Sequence, residues 1–95
     1  MAMRAELKKA LDAKSNDGFH YDRLVARKDG TFEVKRGYFY HHGETAQWWA
    51  ERVQVALKLA GAPFEVVGSR DDWRAWPKDS YLVAVVRATQ ERKED

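Results

Sequence analysis

The chain has 95 residues, with 17 Lys or Arg against 15 Asp or Glu, a formal net charge of +2 and no cysteine. That length holds one domain with one modest core, and the missing thiols exclude a disulfide scaffold and thiolate zinc sites. Four Trp, four Tyr and four Phe within a 44% apolar composition exclude a disordered chain.

Residues 1–14 read as a short helix, with Met3, Leu7, Ala10 and Leu11 along one side and Arg4, Glu6, Lys8, Lys9 and Asp12 elsewhere. Ser15, Asn16, Asp17 and Gly18 end it. Next, 19–28 and 31–41 form a hairpin around Lys28, Asp29 and Gly30. A two-residue loop would set Arg23 opposite Arg36 on the more apolar side, where like charges repel. A type I turn with Gly30 as the left-handed bulge residue avoids this. It sets Leu24 against Val34, Ala26 against Phe32, Asp22 against Arg36 and His20 against Tyr38. The other face then carries Phe19, Tyr21, Val25 and Phe39 with Arg23, Arg27 and Lys35, a basic and aromatic mixture suited to single-stranded nucleic acid or an acidic protein.

Residues 44–60 form the long helix around which the chain is organised, closed by Gly61 and Pro63. At 100° per residue Ala46, Trp49, Val53, Ala56, Leu57 and Ala60 make one core-facing stripe. Trp48, Val55 and Leu59 make a second apolar line that needs its own cover, and the first helix is the expected one. Strands follow at 64–69 and 80–88, the second apolar on both sides and therefore interior to its sheet. Between them lies a Trp-rich loop at 70–79, and 90–95 is a frayed polar tail. The expected fold is a single α+β domain of order α-β-β-α-β-β, with one mainly antiparallel four-stranded sheet and the long helix packed on one face.

Charge is unevenly spread. Residues 1–43 carry nine Lys or Arg against six Asp or Glu, and 44–95 carry eight against nine. No stretch approaches the ~20 apolar residues of a membrane-spanning helix, and no apolar run follows the early charges. Neither a membrane partner nor a signal peptide is expected, and the expected location is the cytoplasm. The Trp-rich loop carries the residue types most enriched at binding hot spots, in Arg70, Trp73, Arg74 and Trp76.

His41, His42 and Gly43, just ahead of the long helix, could hold an anion at its N-terminus. With Glu44 the two histidines also raise a metal-dependent nuclease or hydrolase. Adjacent histidines on a strand point to opposite faces, and no third ligand of suitable spacing is visible. No phosphate loop, dinucleotide fingerprint or nucleophile motif is present. No cofactor or catalytic role is expected.

The stretch GYFYHHGETAQWWAERV from Gly37 and the stretch WRAWPKDSY from Trp73 resemble small orphan proteins of bacteriophage and mobile elements, among them anti-CRISPR and other anti-defence inhibitors. The resemblance covers about half the chain and carries no catalytic motif. It implies stoichiometric docking onto a host protein complex such as a CRISPR effector. Many such inhibitors are acidic DNA mimics, and the +2 charge and basic hairpin depart from that pattern.

The expected function is therefore a non-enzymatic binding protein. Trp73, Trp76, Arg70 and Arg74 would anchor the contact, and Tyr21, Arg23, Arg27, Lys35 and Trp48 would extend it. A nucleic-acid-binding accessory protein using the same basic face, and a small metal-dependent nuclease using His41 and His42, are the alternatives. A homodimer through the Trp48 line or a sheet face is a further partner to consider.

Overall fold

The computed structural model describes residues 3–13, 20–37, 45–72 and 80–89. Six elements run in the order α1 (Met3–Ala13), β1 (Arg23–Ala26), β2 (Phe32–Gly37), α2 (Ala46–Ala60), β3 (Phe64–Asp72) and β4 (Tyr81–Ala88). The strands form one antiparallel sheet of order β1-β2-β4-β3, so the expected α+β architecture is observed.

The hairpin has the expected register, with Leu24 opposite Val34 and Ala26 opposite Phe32. Gly30 sits at φ 91°, its N–H reaching the Arg27 carbonyl, while Arg27 N–H bonds Thr31 O at 2.9 Å. A β-carbon is disfavoured at that angle, so the glycine sets the pairing. Asp29 Oδ1 adds bonds from the backbone N–H and hydroxyl of Thr31, which draw the Asp29 carboxyl below its usual range.

The first strand is shorter than the expected 19–28. At Asp22 the chain bends, and the carboxylate accepts the Gly37 N–H at 2.5 Å in place of further ladder. The third strand is longer than the expected 64–69, because Ser69 through Asp72 continue pairing with β4, opposite Ala84 through Tyr81. Charged residues with poor strand propensity are held there by their neighbour strand, a case of tertiary context overriding local preference.

Helix α2 begins at Thr45, extended at φ −118° and ψ 166°, whose hydroxyl accepts the Trp48 N–H at 3.1 Å. It ends at left-handed Gly61, with Gly61 N–H bonded to Lys58 O and Ala62 N–H to Leu57 O, both 3.1 Å. Its stripe of Ala46, Trp49, Val53, Ala56 and Leu57 is buried as the periodicity predicts. The Trp49 indole N–H also donates to Val34 O at 2.9 Å, tying helix to sheet inside the core.

Both helices cover the same face of the sheet. Leu7 and Leu11 of α1 join Trp49, Val53 and Leu57 of α2 over Leu24, Phe32, Val34, Phe64, Leu82, Ala84 and Val86. Each fully buried Leu or Val contributes about 1.5–3 kcal/mol. The expectation that α1 would cover the second apolar line of α2 is corrected here. Val55 is 54% exposed and Leu59 67%. Leu7 and Leu11 are spent on the main core, where they gain full burial, and an 11-residue helix has no second stripe to spare.

Candidate functional site

With both helices on one side, neither described helix lies over the opposite face of the sheet. Strand alternation and register set out its rows. One row runs Arg23, Lys35, Val83, Arg70 across the four strands; the next runs Val25, Glu33, Val85, Gly68; Tyr81 and Asp72 follow beyond Lys35. The apolar residues on this face are thus interleaved with charge, Arg87 of β4 included, which pairs with Glu65 at 3.3 Å.

Glu33 is the centre. It is only 4% exposed, yet no helix lies over it among the described residues. Arg70 Nη1 donates to its Oε2 at 2.8 Å and Nη2 to its Oε1 at 3.3 Å, a two-pronged pair. Arg27 donates to the same carboxylate from the β1 side, and Lys35 Nζ stands 3.7 Å away. Lys35 also lies 3.9 Å from Asp72 and 5.5 Å from the centre of the Tyr81 ring.

Strands two apart in a sheet lie roughly 9–10 Å from each other. Arg70 on β3 therefore reaches Glu33 on β2 by crossing β4, over the row of Val83 and Val85. Val83 is fully buried there. The Arg70 guanidinium is the main cause holding the Glu33 carboxyl below the usual carboxylate range, ahead of the opposing effect of burial; Glu33 in return raises Arg70.

Three of the sequence-predicted residues, Arg27, Lys35 and Arg70, are thus brought together. Arg70 is a strand residue here, not part of a loop, because its backbone pairs with Val83. Arg23 shares the row with Lys35, and its side chain makes no hydrogen bond or ion pair among the described residues. Tyr21 departs from the face expected of it. The bend at Asp22 turns it to the helix side, where it packs against the core and donates to Asp12 Oδ1 at 2.8 Å. There it lines an open polar cleft of about 370 Å³ with Arg4, Lys8, Asp12 and His20.

Trp48 is also on the helix side, partly buried, with the guanidinium groups of Arg36 and Arg52 each 5.5 Å from its ring. Trp73, Arg74 and Trp76, and the anion set His41, His42 and Gly43, lie outside the described residues. Sequence reasoning missed Glu33 and Asp72. Glu33 precedes Lys35 by two on a strand and so shares its face, a signal that strand period alone supplies.

The face presents fixed cations and carboxylates around a strip of valine and tyrosine. Among the described residues no group of three or more His, Asp or Glu could hold a metal ion, and no helix is long and apolar enough to cross a membrane. Comparison with protein families, curated proteins and solved structures finds no match.

Proposed function

We propose that this chain is a non-enzymatic binding protein that docks through the sheet face opposite its helices onto a macromolecular partner, a protein surface before a nucleic acid. The observation that carries this reading is the Glu33 cluster. Three cations converge on one nearly buried carboxylate on a sheet face with no helix above it among the described residues. Side chains already held in place lose less freedom when a partner arrives. The same neutralisation weakens the nucleic-acid reading, because phosphate contacts need cations free to release counterions. Stoichiometric inhibition of a host defence complex is the form of docking that the sequence resemblance implies.

The deciding experiment measures association through this face. The wild-type chain and Arg70→Glu, Val85→Asp and Lys9→Glu variants are used as bait against host lysate at moderate salt. Wild type and the remote Lys9→Glu control should retain one protein partner stoichiometrically, and the two face variants should lose it while remaining folded. Binding of plain oligonucleotides that weakens steeply with salt and fails on Arg23→Ala would favour nucleic acid instead. Retention by all variants would reject the face.

A further inference from the structure

We propose that two copies of this chain pair through the outward line of α2, antiparallel about a two-fold axis; this does not depend on the docking role of the sheet face. Trp48, Arg52, Val55 and Leu59 follow one another at steps of four, three and four, the spacing of a coiled-coil seam. In the folded chain Val55 and Leu59 of this seam face outward, while Trp48 and Arg52 are half-buried. Val55 and Leu59 are more than half exposed, at 54% and 67%, and Trp48 is only partly buried.

Charge complementarity identifies a second copy as the occupant. Antiparallel pairing centred between Val53 and Gln54 sets Trp48 opposite Leu59 of the copy and Arg52 opposite its Val55. Two-fold symmetry then brings like flanks together. Glu51 and Lys58 lie on the same flank, both exposed, and neither makes an ion pair among the described residues. In the pair, each Glu51 comes within two residues, about 3 Å along the axis, of the level of the copy's Lys58. The arrangement satisfies both free charges twice. In a parallel pair this flank would instead meet the copy's opposite flank, which carries Trp49 and Ala56 and offers Glu51 no cation.

Arg52 fits the seam because it is drawn away from the axis. Its guanidinium rests over its own Trp48 ring at 5.5 Å, about a turn and a half from the two-fold, and its buried Nε has no hydrogen-bond partner among the described residues. The alkyl stem is left for Val55 of the copy. The seam is only about 17 Å long, short of what a standard stable interface buries, so pairing is weak and concentration-dependent. It leaves the sheet face opposite the helices outside the contact in both copies, which makes the pair bivalent toward any partner of that face.

The test is light scattering and sedimentation of the wild type, Glu51→Lys, Lys58→Glu and an equal mixture of the two variants, from micromolar to millimolar chain, with circular dichroism to check folding. The wild type should rise from monomer toward dimer mass, each variant alone should stay monomeric, and the mixture should associate, since its two charge pairs are again opposite. A wild type monomeric throughout overturns the proposal. So do single variants that associate like wild type, or a mixture that fails to associate.

Discussion

Arg70 on β3 and Glu33 on β2 meet across the intervening β4, guanidinium to carboxylate at 2.8 and 3.3 Å. The pair spans two strand spacings, so it fastens β3 to β2 without any backbone bond between them. It also roofs an apolar row on a face that has no helix among the described residues. A side chain that is 44% exposed on the arginine and 5% on the glutamate keeps the cation solvated while its partner is not.

Glu33→Gln should therefore destabilise the fold by about 1–3 kcal/mol, because it leaves three cations facing a neutral amide. The loss should depend on pH. The Glu33 carboxyl is depressed in the folded chain, so its contribution is fully present above the ordinary value of 4.5 and fades as pH falls through the lower folded value. Urea unfolding of both chains across the acidic range should give curves that separate at neutral pH and converge in acid.

Trp49→Phe keeps a ring in the core and removes the donor to Val34 O, with some volume. Loss of that buried bond and the added space should cost about 2–4 kcal/mol, measured by chemical denaturation.

Gly30→Ala should cost about 1 kcal/mol, since φ 91° is unfavourable for a side chain although open space surrounds it. Gly30→Asn should cost less, as asparagine tolerates left-handed backbone. Thermal unfolding that ranks glycine above asparagine above alanine would check the turn, and equal stabilities would show that another residue sets the register.

Tyr21 is pushed up to about 12, first by burial and then by its bond to Asp12. Its ordinary value is 10.0, so the neutral phenol's contribution is present below that and is lost as pH rises through about 12. In Asp12→Asn the acceptor charge is gone, and ultraviolet titration should find Tyr21 ionising at lower pH. The Asp12 carboxyl, held down first by Lys8 and next by Tyr21, should rise in Tyr21→Phe.

The hairpin register was legible because one alternative put Arg23 against Arg36 and only one turn used Gly30 well. The core stripe of α2 was legible from its period, and Thr45 and Gly61 bound it. Less could be read where several partners compete for one surface. The second line of α2 looked like a seat for α1, but Leu7 and Leu11 gain more in the main core. The site was half visible. Alternation placed Arg27 and Lys35 together, whereas Arg70 depended on pairing between β3 and β4 that its own charged neighbours concealed. Tyr21 obeyed alternation only until the Asp22 carboxylate bent the strand.

The sheet order has a consequence for how the molecule is made. The strand synthesised last of the four, β4, lies in the interior, bonded to β2 on one side and β3 on the other. During translation the β1-β2 hairpin must wait, one flank of β2 unmatched and Phe32 and Val34 wet, until some fifty residues later its neighbour leaves the ribosome. Assembly of the nascent chain is then a late, concerted event, with closure of a long loop as its slow step.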